Sequence, residues 1–363
     1  MIPARILCCA LALFLTSLPA QADPIRIASF NTELQRGGPG LLLRDIRRGQ
    51  DPKIKAVVSV IARTAPDILV LQGFDWDFDG VALSAFADLL KTSGQDYPHR
   101  YAPKPNSGMA TDLDLDGDGR KGGPGDAQGY GAFSGQGGIA VLSRFPILPD
   151  KAKDYSALIW RDVPGALLPL HEDGSAFPSA EAQAIQRLSS TGHWAIPIRL
   201  PDGSILTLLT FQAGPPVFDG TEDRNGRRNH DEILLWRLVL DGTFGLAPKR
   251  QFVLAGGANL DPKDSDGRRG AIGAILADPR LHDPKPRSDG AARAGNQGHN
   301  GPDALDTVDW PGVGRLRVDY VLPSVDWTVV GTGVFWPAPE QVGHDDALAA
   351  SRHRLIWVDL ALD

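Results

Sequence analysis

The sequence predicts a mixed, largely antiparallel α/β sandwich. Short β-rich runs bounded by glycine and proline outnumber the stretches with helical apolar spacing. Several runs are joined by hairpins as well as by crossovers, and the clearest hairpin turns at Asp202-Gly203. This mixture of connections favours two-sided α/β packing with mostly antiparallel strands over a purely parallel, doubly wound sheet.

The strands are predicted where short apolar runs are rich in β-branched or aromatic residues. Pro66-Asp67 leads into one of the most apolar runs, which is typical of a strand buried on both faces. The predicted strands span residues 25–30, 68–71, 138–142, 193–200, 204–211, 252–254, 317–322, 327–330 and 355–358.

Helices are predicted at residues 54–63, 81–90 and 229–240, where apolar side chains recur with helical spacing. Residues 103–135 are dense in glycine and aspartate, and residues 160–188 also lack a periodic pattern, so both read as loop-rich insertions. Because no linker divides the remaining chain, we expect residues 23–363 to form a single domain.

The first 22 residues have the pattern of a secretory signal peptide. Arg5 precedes an apolar run over residues 6–18, and Ala20-Gln21-Ala22 is a small-x-small cleavage signature. The run is shorter than the roughly 20 residues that span a bilayer, so we expect no stable membrane insertion. We therefore expect export to the periplasm or the medium, with cleavage near Ala22.

The charge balance restricts the class of partner. The chain has 37 Lys and Arg residues against 44 Asp and Glu residues, a formal net charge of −7. This balance lacks the basic excess of a dedicated polyanion-binding protein, although a local basic groove is compatible with it. Both cysteines lie within the predicted signal peptide, so the mature chain is expected to have no disulfide.

Polar residues lie at or near the ends of several predicted strands, at the positions where sheet proteins place their reactive groups. They include Asn31, Gln72-Gly73, Gln212, Gly256-Gly257-Ala258-Asn259, Asp319 and Ser351-Arg352-His353. In this order and spacing the chain resembles the endonuclease/exonuclease/phosphatase superfamily, which has the deoxyribonuclease I-like fold. The resemblance implies a four-layer αββα sandwich of two mixed, largely antiparallel sheets flanked by helices.

The resemblance also implies an activity, which is hydrolysis of a phosphodiester or phosphomonoester, with nucleic acid among the candidate substrates and magnesium or manganese at the active site. His353 matches the family's general base, and Asn259 matches its phosphate-orienting Asn. Asn31 and Asp319 match residues that organise the site. These four residues are expected to meet at one rim of the sheets.

Four positions depart from the family pattern. Gly73 replaces the principal metal-binding Glu, and Gly257 replaces an Asp that positions the nucleophile. Gln212 stands where a His ends the central strand, and Arg352 stands where an Asp precedes the terminal His. Losing carboxylates should weaken binding of a divalent cation, because Coulomb attraction supplies much of its affinity.

Other residues are candidate replacements for these functions. Asp75, with its neighbour Asp77, and Asp261 are candidate substitute metal ligands. Gln212, Arg228 and Arg352 are candidate substrate-binding residues. Arg228 belongs to a basic segment at residues 223–230, which either grips phosphate at a helix N-terminus or is simply a solvated turn beside a capped helix.

An acidic loop is a second candidate metal site. Two frames match the start of a calcium-binding loop: Asp112, Asp114 and Asp116 before Gly117, or Asp114, Asp116 and Asp118 before Gly119. The Glu that normally completes such a loop is missing, and the alternative is a solvated acidic turn. We expect structural calcium here.

These patterns leave three hypotheses. The first is an exported metal-dependent phosphoesterase of nuclease or phosphatase type. The second is a pseudoenzyme of the same fold that binds a ligand or partner, which predicts that restoring Gly73→Glu and Gly257→Asp raises activity. The third, supported by the acidic loop alone, is a calcium-dependent surface module.

Overall fold

The fold described here is that of a computed structural model covering residues 24–361. The predicted signal peptide, residues 1–22, lies outside the described residues. No helix within residues 24–361 combines the length and the apolar character needed to cross a bilayer.

The strands lie close to the positions that the sequence predicts, and short additional strands occur at the edges. They are β1 (Ile25–Asn31), β2 (Ile68–Phe74), β3 (His99–Tyr101), β4 (Gly138–Ser143), β5 (Lys153–Asp154), β6 (His193–Arg199), β7 (Ile205–Gln212), β8 (Phe252–Gly257), β9 (Val308–Trp310), β10 (Gly314–Leu316), β11 (Asp319–Pro323), β12 (Thr328–Val334) and β13 (Ile356–Ala361).

Two large mixed sheets form the centre of the fold. One contains six strands in the order β12-β13-β1-β2-β4-β3, and the other contains five in the order β11-β8-β7-β6-β5. The pairs β1–β2 and β7–β8 are parallel, whereas the remaining pairs in both sheets are antiparallel. Strands β9 and β10 form a separate two-stranded hairpin. The predicted fold class is therefore confirmed.

The alternation of side chains along each strand explains the layers. In β1 and β2, Ile27 and Val70 face the core between the sheets, whereas Phe30 and Leu71 face the helices outside. Both faces of these strands are buried, which is why their sequences are almost continuously apolar. The second sheet contributes Trp194 and its neighbours to the same central core.

Helices cover the outer faces of both sheets. They are α1 (Leu41–Arg48), α2 (Pro52–Thr64), α3 (Val81–Thr92), α4 (Ala180–Ile185), α5 (Arg224–Leu240), α6 (Gly270–Leu276), α7 (Asp289–Ala294) and α8 (His344–Ala350). Helices α1, α2 and α3 pack on the six-stranded sheet, and α5 and α6 pack on the five-stranded sheet. The layers follow the αββα order that the resemblance implies.

Local signals set the helix ends. Asp51 accepts a hydrogen bond from the backbone N–H of Ile54 at 2.9 Å, and Pro52 occupies the first turn of α2. Helix α5 begins at Arg224, five residues before the predicted start at Asn229. The additional turn is capped by Asp219 in the preceding loop, which accepts the backbone N–H of Asn225 at 2.5 Å.

The two predicted insertions are irregular and are fastened to each other. Residues 103–135 contain no strand and no α-helix, and residues 160–188 contain only the short α4. The buried Asn106 donates to the carbonyls of Ser156 and Ser189, and it accepts from Arg187 at 2.8 Å. Arg228 of α5 donates to carbonyls in both insertions, including those of Gln128 and Leu188. The interpretation as one domain stays a prediction.

Candidate active site

Strand ends bring the predicted site residues to one edge of the two sheets. Strand β1 ends at Asn31, and β13, antiparallel beside it, begins at Ile356, shortly after His353. In the other sheet β11 begins at Asp319, opposite Gly257 of β8. We call the group Asn31, Asp319 and His353 the dyad rim.

The centre of the dyad rim is a buried His–Asp pair. His353 Nδ1 lies 2.8 Å from Asp319 Oδ2, and the same oxygen accepts the hydroxyl of Thr307 at 2.9 Å. Because a carboxylate can only accept, Nδ1 carries the proton and Nε2 presents its lone pair. Asn31 Nδ2 lies 3.4 Å from that Nε2, and the Trp310 ring meets the imidazole edge-on at 5.5 Å.

This arrangement orients a general base. Asp319 fixes the tautomer of His353 and would stabilise the imidazolium formed when Nε2 accepts a proton. Asp319 and His353 are 2 % and 3 % exposed, so the pair is held by packing as well as by hydrogen bonds. Asp319 Oδ1 is buried and has no hydrogen-bond partner among the described residues.

The neighbouring Arg352 is engaged in an ion pair. It binds Glu33 through Nε at 2.7 Å and through Nη2, while its backbone N–H donates to Glu33 Oε2 at 3.0 Å. Burial works to raise the pKa of Glu33, but these bonds from Arg352 outweigh it and hold that pKa at about 2. The predicted substrate-binding Arg352 therefore already has a carboxylate partner.

Glu33 is a site residue that the sequence interpretation missed. It lies two positions after Asn31, and its backbone N–H donates to Asn31 Oδ1 at 3.3 Å. The available signal was its placement just beyond the end of a buried strand, beside a residue already selected.

Gly73 closes the position where the family pattern has a Glu. Its φ of +65° is in the left-handed region that favours glycine. A Cβ atom there would stand 2.7 Å from Asn31 Oδ1 and 2.9 Å from the backbone nitrogen of Glu33. Conformation and contacts both exclude a side chain at this point of β2.

Gln212 occupies the space beside the second substituted position. A Cβ atom on Gly257 would stand 2.1 Å from Gln212 Oε1. That oxygen is buried and has no hydrogen-bond partner among residues 24–361. Gln212, predicted to bind substrate, thus directs its carbonyl oxygen toward the missing carboxylate's position.

Asn259 is at the same end of β8 but is turned away from the dyad rim. It has a φ of +52°, and its Nδ2 donates to the carbonyl of Ala213 at 2.7 Å. It lines a cavity of about 750 Å³ together with Gln212, the start of α5, and the exposed Tyr130 and Phe218. Asn31, Asp319 and His353 contact one another, whereas Asn259 contacts Ala213, so the meeting of all four residues stays a prediction.

This large cavity and the dyad rim are separate. None of the three dyad-rim residues lines the cavity. Gly257 lies between Asp319 and Gln212 in the sheet, so Gln212, which lines the cavity, is two strands or about 10 Å from Asp319. The cavity is also lined by Glu232, but its two carboxylate oxygens already accept the backbone N–H groups of Ser190 and Gly214, so the dyad is the better candidate for the chemistry.

Arg228 is predominantly structural. It is 8 % exposed, and its Nε and Nη2 donate to backbone carbonyls of the two insertions. Burial lowers its pKa to about 10. The prediction that Arg228 grips phosphate is therefore corrected, since the carbonyls use most of its donors.

The proposed substitute metal ligands are also used elsewhere. Asp75 accepts the backbone N–H of Arg36 on one oxygen and that of Gly137 on the other, both at 2.9 Å. Asp261 accepts the N–H of Lys263 and of Arg317. These carboxylates fasten loops, and neither joins a cluster of metal-ligating groups in residues 24–361.

Asp77, the neighbour of Asp75, caps a helix. Its two oxygens accept the backbone N–H groups of Val81 and Ala82, both at 2.8 Å. Both aspartates after β2 are thus held by nearby main chain and do not replace the missing Glu.

The acidic loop has the geometry of a cation cluster. Asp114, Asp116 and Asp118 each place a carboxylate oxygen within 4.8 Å of the others. Asp114 also accepts the backbone N–H of Gly117 and Gly119, which shapes the turn. Within residues 24–361 this is the only such group of three or more His, Cys, Asp or Glu side chains.

A sequence profile of the Endonuclease/Exonuclease/phosphatase family matches residues 28–353, nearly the whole described chain. The chain belongs to this family. Its members are metal-dependent phosphoric ester hydrolases, which agrees with a His–Asp pair at the sheet edge. Comparison with curated protein sequences gives no match.

Solved structures support the same fold. An endonuclease/exonuclease/phosphatase from Beutenbergia cavernae DSM 12333 is 18% identical with a TM-score of 0.52, covering 94% of this chain and 72% of that one. The human Nocturnin catalytic domain with bound sulfate anion is 14% identical with a TM-score of 0.51, covering 94% and 97%. At these identities the similarity establishes the fold alone.

The dyad rim does not fit the divalent cation that the family uses. Magnesium requires near-octahedral oxygen ligands, usually including carboxylates. The rim offers the carboxylates of Glu33 and Asp319, and these are bound to Arg352 and His353. The magnesium or manganese expected from the resemblance thus lacks a ligand set at the rim.

Proposed function

We propose that this chain is an exported phosphoesterase of the family, which hydrolyses a phosphodiester or phosphomonoester with water activated by His353. The observation that carries the proposal is the 2.8 Å contact between His353 Nδ1 and Asp319, with Asn31 at Nε2. Burying both groups costs free energy, because each is removed from water. Buried, oriented pairs of this kind are typical of functional sites.

The chemistry assigned to the rim is simple. His353 Nε2 accepts a proton from water as the water oxygen bonds to phosphorus, the ester P–O bond breaks, and the imidazolium gives that proton to the leaving oxygen. Asp319 stabilises the imidazolium through its bond to Nδ1. The Asn31 amide, beside Nε2, positions the water and the phosphate oxygens.

The test is hydrolysis of bis(p-nitrophenyl) phosphate, p-nitrophenyl phosphate and plasmid DNA. General-base catalysis contributes about 10²–10⁴-fold, so His353→Ala should lose that factor. His99→Ala is the matched control, because His99 is on β3 at the far edge of the same sheet. Turnover by the unaltered chain no faster than that of His353→Ala, on every substrate, would reject the proposal.

A second candidate function is a pseudoenzyme that binds a phosphate ester or a protein partner without turnover. It is favoured by the closed positions at Gly73 and Gly257 and by the burial of His353. Calorimetric binding of a nucleotide without any product formation would support it. Turnover that depends on His353 would eliminate it.

The proposal also includes export of the chain and a structural calcium ion in the acidic loop. The signal-peptide pattern supports export, and sequencing of the mature N-terminus should give Asp23 as the first residue. The convergent oxygens of Asp114, Asp116 and Asp118 support structural calcium in the acidic loop.

A further inference from the structure

Both carboxylates at the dyad rim are already committed to protein partners. Asp319 Oδ2 accepts from His353 and from Thr307. Glu33 accepts from the guanidinium and backbone of Arg352 and from the hydroxyl of Ser351 at 3.1 Å. A cation would have to break existing bonds to Glu33, and at Asp319 only Oδ1 is without a partner among the described residues, which is one ligand and not a coordination set.

The missing carboxylates cannot return without rearrangement. The Cβ position of Gly73 lies against Asn31 and the Glu33 backbone, and the Cβ position of Gly257 lies against Gln212. The site has therefore been refilled by its neighbours. Neighbouring atoms thus occupy the positions of the two missing side chains, so no empty space is left there for them.

Arg352 places a positive charge beside the rim, carried by a side chain and not by a metal ion. Arg352 stands where the resemblance places an acid, so the local charge changes from negative to positive. Its side chain is 55% exposed, and Nη1 has no hydrogen-bond partner among the described residues. Lys53 Nζ lies 3.7 Å from Glu33, which leaves two cations around one carboxylate.

These groups share a shallow cavity of about 330 Å³, lined by Glu33, Lys53, Ser351 and Arg352. Ser351 joins this cavity to the dyad, because its hydroxyl accepts the backbone N–H of His353 at 3.1 Å and lies 3.1 Å from Glu33 Oε2. Glu33 holds the guanidinium in place, and a cation fixed in advance loses less entropy when an anion binds.

We propose that the rim binds a phosphate dianion without a divalent metal ion, with Arg352, held by Glu33, supplying the positive charge. Guanidinium binds phosphate through charge-assisted hydrogen bonds. The inference extends the proposed function by replacing the family's cation with a side chain of this protein, and it concerns binding and not turnover.

The test is calorimetric titration of the full mature chain with inorganic phosphate. The dissociation constant should agree within about twofold between excess EDTA and excess magnesium, because no metal takes part. Arg352→Gln should weaken binding about tenfold or more, since it removes a charged donor. Arg44→Gln is the matched control, because Arg44 is a similarly exposed arginine that pairs with Asp45 on α1.

Two further measurements allow the proposal to be rejected even if one variant does not fold. Arg352→Lys retains the charge and should bind within about a factor of three to ten of the unaltered chain, even if Arg352→Gln fails to fold. Titration of magnesium or manganese into a chain with Asp114→Asn, Asp116→Asn and Asp118→Asn should give no binding heat. Phosphate binding that requires metal, or that is unchanged in Arg352→Gln, would overturn the proposal.

The two proposals fail in different ways. Metal-independent phosphate binding without turnover would remove the phosphoesterase assignment and leave this inference standing. Turnover that appears only with magnesium would remove this inference and leave the phosphoesterase assignment standing.

Discussion

The closure of β2 at Gly73 leads to a quantitative prediction about stability. A non-glycine residue at positive φ costs about 1–2 kcal/mol. Gly73 carries a second cost, because its Cβ position is 2.7 Å from Asn31 Oδ1 and 2.9 Å from a backbone nitrogen that cannot rotate away. Overpacking of this kind costs about 1–3 kcal/mol. We therefore expect Gly73→Ala to lose about 2–5 kcal/mol of unfolding free energy.

The two contributions can be separated with a control glycine. Gly49, after α1, has a φ of +63°, and no atom lies within 4 Å of its Cβ position. Gly49→Ala therefore has the conformational cost without the crowding, and both substitutions change the entropy of the unfolded chain equally. The assay is urea unfolding of both variants and the unaltered chain, followed by fluorescence.

The difference between the variants decides the question. Gly73→Ala should be less stable than Gly49→Ala by about 1–3 kcal/mol. Equal losses would show that the end of β2 relaxes readily, and the argument that the metal-binding position is closed would then be wrong.

The same reasoning revises the expected effect of restoring the family's acids. Gly73→Glu should destabilise the chain without conferring magnesium-stimulated turnover. Gly257→Asp is more accessible, because the obstructing atom is the end of a flexible Gln212 side chain. The combined restoration that the pseudoenzyme hypothesis predicts to raise activity is therefore blocked at Gly73 by the backbone.

Two further predictions concern pH and calcium. Burial, assisted by the charge of Asp261, raises the pKa of Asp306 to about 7, whereas the unfolded carboxyl titrates near pH 4. The stability that protonated Asp306 contributes below about pH 4 is thus lost as pH rises through 7, by up to about 1.4 kcal/mol per pKa unit. Asp306→Asn should therefore reduce the dependence of Tm on pH in thermal melts recorded from pH 4 to 8. Calcium at about a hundred times its Kd should add about 2.7 kcal/mol, seen as a higher Tm that Asp116→Asn abolishes; an unchanged Tm would remove the calcium assignment.

Much of the fold could be predicted from the sequence because the strands are buried on both faces. A strand such as β2 contacts the central core through Val70 and the outer helices through Leu71, so its apolar run is long and distinctive. The short β3, β5, β9 and β10 were not predicted, since strands of two or three residues give too little pattern to distinguish them from loops.

The dyad was predictable, but its surroundings were not. Asp319 and His353 follow strand patterns that place them at a sheet edge. The Glu33–Arg352 ion pair joins residues 319 positions apart, and it depends on the antiparallel pairing of β1 with β13. Asp75 illustrates the opposite error, because its two partners come from distant loops that no local pattern associates with it.

The fastening of the two insertions by Asn106 constrains how this protein can vary. Its amide is satisfied by carbonyls on both sides of the second insertion, and Arg228 adds a second cross-link from α5. Shortening one segment alone would leave buried hydrogen-bond donors of the other segment without acceptors. Homologous exchange of these surface loops should therefore succeed only when both segments are transplanted as a matched pair.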